Sequence, residues 1–275
     1  MILFYSLGGG WGHLRRTHVF IQNEGITGFK VLTSNPLAER MFDKEQVVFC
    51  KNVPPTSLEE HMEFVNNFLE DHNVEALYVD VFPMGIMGEL SMLTKRDMEK
   101  HLLCRRLKWE SYEKHTGGND LMYDRALVLE PLEEAHVEYL KKHSRERVEY
   151  SLEYPPANLP DEPGSALEGE ALWLIVHGAN AEETGALCRY AKEMAVKEKH
   201  APNLVLVSDC EIDEEGIEGM SIFPASDLFP LADRLFTGCG FNIMQETAPY
   251  RDKQVCMPFP RKYDDQFWRL GRQNK

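Results

Sequence analysis

Short aliphatic, β-branched and aromatic runs alternate along the chain with longer stretches whose apolar positions recur at helical spacing. Strands feeding helices in that rhythm predict a parallel sheet covered by helices. In the first half, strands are predicted at Ile2–Leu7, Lys30–Ser34, Val47–Cys50, Ala76–Val81 and Ala126–Leu129. Helices are predicted near Gly12–Gln22, Pro36–Phe42, Leu58–Asp71, Gly85–Leu93, Lys95–Lys114 and Glu133–His143. A second series predicts strands at Leu172–His177, Leu204–Ser208, Ser221–Phe223, Arg234–Thr237 and Val255–Met257. Its helices fall at Glu182–Lys197, around Asp227–Ala232, at Asn242–Pro249 and at Asp264–Arg272. Between the two series, Tyr154–Glu170 is rich in proline and carboxylates and reads as an extended linker. The expected organisation is therefore α/β, with an N-terminal domain over 1–153, a linker over 154–170 and a C-terminal domain over 171–275.

Charge narrows the partners. A formal net charge of -15 argues against nucleic acid, which needs a clustered basic surface. A small anionic ligand is still compatible, because backbone amides can hold phosphate locally. No apolar run is long enough to span a bilayer, and the apolar start lacks a basic flank, so it reads as a buried strand. The basic stretches His101–Lys108 and Lys141–Arg147 are read as solvated helix faces, with weak peripheral membrane contact as the alternative. Six cysteines without a C-x-x-C pair support neither a zinc ribbon nor a disulfide framework, and a cytoplasmic location is expected.

Two glycine-rich turns carry the candidate chemistry. The first strand runs into Gly8-Gly9-Gly10-Trp11-Gly12-His13, then a helix opens. Gly9, Gly10 and Gly12 let backbone N–H groups approach a phosphate or sugar. The dinucleotide fingerprint and the Walker lysine are both missing, so neither NAD nor ATP is expected and no cofactor is assigned. His13 stands at the functional edge of an open sheet and could take a proton from a hydroxyl, or it could cap the loop beneath Trp11. His18 falls off the same helix face, and no metal site is predicted. Asp80, ending a predicted strand, could be the base, orient His13, or cap the following turn.

The second turn is Gly238-Cys239-Gly240, followed by Asn242, Glu246 and, after a proline-bounded segment, Asp265-Gln266. Glu246 could bond neighbouring hydroxyls, and Asp265-Gln266 presents an acceptor beside an amide.

In combination these segments resemble GT-B glycosyltransferases, a group that includes the N-acetylglucosaminyltransferase of lipid II precursors. The opening G-G-G-x-G-H-x-x-R is similar to their acceptor half, and the Gly238–Gln266 set to their donor half. Val79–Leu90 and Arg106–Tyr112 resemble stretches of uncharacterised bacterial relatives. The resemblance implies two Rossmann-like domains facing each other across a cleft, with the second domain short. It implies metal-independent inverting transfer of a hexose from a nucleoside-diphosphate sugar, such as a UDP-sugar, to an unidentified acceptor. His13 then matches the loop histidine near the acceptor; His177, Gly178, Gly238, Gly240 and Asn242 match donor diphosphate positions. Glu246 matches the ribose ligand, Asp265 and Gln266 the sugar readers, and Phe223 the nucleobase neighbour. The chain also ends soon after the last predicted helix, where relatives commonly continue with a terminal helix. A sugar-nucleotide 2-epimerase and a non-catalytic nucleotide-sugar-binding protein are the alternatives on the same architecture.

Overall fold

A computed structural model describes residues 1–50, 57–95, 97–117, 121–159, 167, 171–178, 180–210 and 214–273. The chain divides into two compact units, Met1–Glu153 with Lys262–Asp265, and Tyr154–Arg261 with Gln266–Lys275.

In the first unit the strands are β1 (Ile2–Tyr5), β2 (Phe29–Thr33), β3 (Val47–Phe49), β4 (Ala76–Asp80), β5 (Glu99–Cys104), β6 (Tyr123–Val128) and β7 (Ser144–Glu149). They form one sheet in the order β3-β2-β1-β4-β5-β6-β7, every pairing parallel. The helices are α1 (Trp11–Glu24), α2 (Leu58–Asp71), α3 (Trp109–Thr116) and α4 (Glu134–His143). Chain order runs outward from β1 to β3 and then returns to place β4 beside β1. Ligands of open α/β sheets bind outside the strand ends at such a reversal.

The second unit repeats the plan with β8 (Leu172–Val176), β9 (Asn203–Val207), β10 (Glu218–Met220), β11 (Arg234–Gly238) and β12 (Gln254–Met257). Its order is β10-β9-β8-β11-β12, again all parallel, with the reversal between β8 and β11. Helices α5 (Ala181–Glu198), α6 (Phe241–Glu246) and α7 (Gln266–Gln273) complete it. Central strands such as LWLIV and NLVLV are apolar at nearly every position because helices cover both faces.

Local chemistry sets the boundaries. α1 ends on Gly25 in the left-handed region (φ 62°), whose N–H reaches the Gln22 and Ile21 carbonyls. Ser57 caps α2 by accepting from the Glu60 N–H at 3.0 Å, and Asn180 caps α5 from the Glu183 N–H at 2.9 Å.

Several sequence expectations are corrected. Lys95–Lys114 is no single helix: it holds β5, an internal strand, and then α3. Glu99 and His101 sit at the strand's open end, whereas Leu102, Leu103 and Cys104 are fully buried. The cations of this stretch therefore do not form a helix face. Gly85–Leu93 yields only a 3₁₀ turn at Glu89–Met92, because Gly85 and Gly88 adopt φ 83° and 97°. Pro36–Arg40 and Ala225–Leu231 are likewise 3₁₀. The strand expected at Ser221–Phe223 lies three residues earlier, as β10. The charged edge strand β7 went unpredicted. Asp264 and Asp265 precede α7 rather than opening it. Linker residues 154–159 carry neither helix nor strand; residues 160–166 and 168–170 lie outside the described ones. Among the described residues, no helix is long and apolar enough to cross a membrane.

Candidate functional site

The first unit's reversal point is where the Gly8–His13 turn and Asp80 meet. β1 delivers the glycines and β4, its neighbour, delivers Asp80. His13 lies in the first turn of α1, and its Nδ1 stands 2.6 Å from Asp80 Oδ2. Arg16, one helical turn on, donates from Nε to Asp80 Oδ1 at 2.6 Å and from Nη2 to Oδ2 at 2.7 Å. Asp80 and Arg16 are each 2% exposed, so a buried carboxylate is balanced by a fork-like cation.

Burial opposes the Asp80 charge, but Arg16 and the His13 hydrogen bond outweigh it and hold its pKa down at about 2. Burial lowers the His13 pKa, and the contacts with Asp80, which raise it, recover only part of the shift. The pair at neutral pH is therefore an ionised carboxylate accepting from a neutral imidazole protonated at Nδ1. That leaves the Nε2 lone pair available, with no partner for it among the described residues. Asp80 thus faces His13 as an orienting group.

The turn holds this ring closely. Gly8 has φ 150°, and a Cβ there would lie 2.3 Å from His13 Cδ2 and 2.4 Å from Nε2. Gly10 precedes α1 at φ 73°, and its carbonyl accepts from Asn35 Nδ2 at 2.6 Å. Phe82 walls the imidazole, ring centres 5.4 Å apart. Trp11 instead lies under the Arg40 guanidinium, 5.1 Å away. Gly9 and Gly12 are exposed on the same turn. Arg16 carries no role in the sequence reading, although its place in the G-H-x-x-R motif sets it one helical turn from His13.

In the second unit the reversal point joins His177, just past β8, to Gly238, the last residue of β11. His177 Nε2 lies 2.8 Å from Glu183 Oε2 on α5. Arg261 donates to both Glu183 oxygens. A Cβ on Gly238 would sit 3.3 Å from His177 Nδ1, so the glycine gives the ring its place. Burial lowers the His177 pKa despite the Glu183 contact.

The other expected residues have definite partners. Gln266 Oε1 accepts from the Cys239 N–H at 3.2 Å and the Phe259 N–H at 3.0 Å, tying the turn after β11 to the segment after β12. Asp265 faces Arg106 Nε at 3.4 Å within the first unit. Asp265 and Gln266 are thus turned to different partners rather than presented side by side. Asn242 is buried and accepts from Tyr154 Oη at 3.0 Å. Glu246 closes α6, half-buried. Gly178 follows His177, whereas Phe223 lies beyond the edge strand β10, two strands from β8. Among the described residues no three His, Cys, Asp or Glu side chains are grouped to hold a metal ion.

No protein-family model matches the chain, and no curated protein matches its sequence. Solved structures do. The glycotransferase of kitacinnamycin aligns over 99% of this chain and 83% of its own, at 13% identity and TM-score 0.61. The UDP-N-acetylglucosamine 2-epimerase of Rickettsia bellii aligns over 90% and 76%, at 11% identity and TM-score 0.54. The S. aureus MnaA–UDP co-structure aligns over 94% and 79%, at 9% identity and TM-score 0.60. At such identities the likeness establishes the fold: parallel sheets of seven and five strands that match the two Rossmann-like domains of GT-B proteins.

Proposed function

We propose that this chain is a nucleotide-sugar-dependent glycosyltransferase, moving a hexose-type sugar from a nucleoside diphosphate, UDP being the first candidate, to an acceptor hydroxyl. The observation carrying the reading is the His13–Asp80–Arg16 chain at the first reversal point. A neutral imidazole with an open Nε2, oriented by a carboxylate that stays ionised, is the equipment of a general base. In the proposed step, His13 Nε2 takes the acceptor's hydroxyl proton as that oxygen bonds the anomeric carbon. The carbon–oxygen bond to the diphosphate breaks from the opposite side, its electrons leave with the nucleotide, and the configuration inverts. Asp80 stabilises the imidazolium formed. Gly9, Gly10 and Gly12 give the acceptor a close approach to backbone. His177, Gly178, Gly238, Gly240 and Asn242 are assigned to the donor diphosphate, Glu246 to the ribose, and the segment near Phe223 to the base. Asp265 enters as a sugar neighbour, with Gln266 holding the turn that carries the donor. The reading includes no cofactor.

The test is a panel of nucleoside diphosphates and nucleotide sugars by thermal shift, then transfer assays with acceptor extracts. His13→Ala is expected to slow transfer by about 10²–10⁴-fold while leaving UDP affinity within a few-fold. Full activity in that variant removes His13 from the chemistry. An epimerase is the second reading, favoured by the likeness to the R. bellii enzyme. Conversion of free nucleotide sugar without acceptor decides for it.

A further inference from the structure

His177 is held at one nitrogen and bare at the other. Glu183, on α5, takes Nε2, and Arg261, after β12, is committed to both oxygens of that same carboxylate. Gly238 on β11 and the Phe259 ring, whose centre lies 5.0 Å away, bring no charge to the imidazole. The charged groups facing His177 are therefore Glu183 and Arg261, which bind one another. Nδ1 looks onto the Gly238 turn and has no hydrogen-bond partner among the described residues. The side chain is 9% exposed, so this nitrogen is nearly dry without being sealed.

The turn carries a cation at Cys239, whose carbonyl accepts from Arg269 Nη1 at 3.4 Å, but an anion arriving beside the His177 ring meets a less favourable setting. The chain carries a formal net charge of -15, and Glu183 already engages Arg261, the one cation facing the ring among the described residues. A neutral imidazole with its proton on Nε2 offers the newcomer a lone pair, which repels phosphate oxygen. One proton added at Nδ1 reverses this. It creates a donor aimed at the turn and a cation whose far side is already bonded to a carboxylate. No side chain has to move.

We infer that His177 makes phosphate binding at the Gly238 turn proton-linked: a nucleoside diphosphate is taken up together with one proton, which settles on Nδ1. The inference rests on the proposed function, in that the ligand is the diphosphate of its donor. It adds that the imidazole of the second unit is a titrating ligand. Burial keeps the free ring neutral at and above pH 7; the bound anion raises its pKa, so affinity falls up to tenfold per pH unit until the bound ring also titrates.

The experiment is calorimetric titration of the full chain with UDP at pH 8, in buffers of different ionisation enthalpy. At that pH free UDP is fully ionised, and the apparent heat reports protons taken from buffer. Uptake approaching one proton per UDP is expected, and His177→Asn, which keeps a neutral donor at the Nδ1 position, is expected to bind UDP without it. Imidazole Cε1–H chemical shifts of the unaltered protein, with and without UDP, give the same answer if the variant folds poorly. UDP binding whose heat does not depend on the buffer overturns the inference and leaves the proposed function standing. Uptake that persists in His177→Asn overturns it too. Absence of UDP binding removes both.

Discussion

Gly8→Ala is the substitution that most directly interrogates the first site. The added Cβ would lie 2.3 Å from His13 Cδ2, whereas ordinary contacts begin at 3.4 Å, so the ring must recede by about 1.1 Å. The 2.6 Å bond from His13 to Asp80 would then open to about 3.7 Å, outside hydrogen-bond range. Loss of a hydrogen bond to a charged group costs about 1.5–3 kcal/mol, and φ 150° strains an alanine by about 1–3 kcal/mol. Together these reach about 2.5–6 kcal/mol, and relaxation of the loop around the new methyl brings the expected cost to about 2–4 kcal/mol. At roughly 2–4 °C per kcal/mol, that is a fall in Tm of roughly 5–15 °C. Gly9→Ala is the matched control. Its Cβ meets nothing within 4 Å and its backbone is not at positive φ. Scanning calorimetry of both variants decides the matter. If they melt within about 1 °C of each other, His13 does not lie over Gly8 and the dyad as described is wrong.

Other substitutions probe different parts of the molecule. His136 is fully buried, stacks on Trp109 at 4.3 Å, and has no hydrogen-bond partner on either ring nitrogen among the described residues; burial lowers its pKa to about 3. The unfolded chain, titrating near 6.5, then binds more protons, so stability present above pH 6.5 is lost as pH falls towards 3, by about 4–5 kcal/mol in all. His136→Phe should flatten that acid limb in urea unfolding between pH 7 and 4; an unchanged slope refutes the assignment. Arg16 lowers the His13 pKa through its charge, so Arg16→Met should move the His13 titration upward by NMR, and no upward movement places the guanidinium elsewhere. Gln266→Leu strips an acceptor from the Cys239 and Phe259 N–H groups. Its expected cost is about 2–5 kcal/mol of folding free energy, read from denaturant midpoints, and near-neutrality would show that the two turns are satisfied otherwise.

Much of the sheet was legible because buried parallel strands are apolar throughout. Ile2–Tyr5, Ala76–Asp80 and Leu172–Val176 fall within predicted runs, and Arg234–Gly238 exceeds its run by one residue. The α/β class followed from their alternation with helices, whereas the two Rossmann-like domains were implied by the family resemblance. β5 was illegible for a physical reason: EKHLLC opens on three polar residues, of which Lys100 is buried with its Nζ on the Met98 carbonyl, and its charges join those of Lys108–Lys114 into what reads as one helix. β7, SRERVE, covers a sheet edge, where charged side chains discourage further pairing and so erase the apolar signal. Gly85–Leu93 reads as helical, yet the Glu89 carboxylate accepts from the Ile86 and Met87 N–H groups and draws the chain around itself. A carboxylate buried at the centre of a loop leaves no periodicity to read.

The glycine turns themselves could be read from sequence, but what backs each histidine depends on strand order. Asp80 reaches His13 across 67 residues only because β4 returns to lie beside β1. Both units place a histidine, a carboxylate and an arginine in one chain of contacts at the reversal point, yet with opposite ring edges. His13 rides on a helix and meets its carboxylate on the adjoining strand through Nδ1, which leaves Nε2 over Gly8. His177 sits before its helix and meets Glu183, six residues on, through Nε2, which leaves Nδ1 against Gly238. In each unit the uncommitted nitrogen therefore looks onto its own glycine turn, Nε2 over Gly8 and Nδ1 over Gly238. The proposed division between a base in the first unit and an anion ligand in the second rests on which nitrogen each carboxylate leaves bare and on the turn that nitrogen meets.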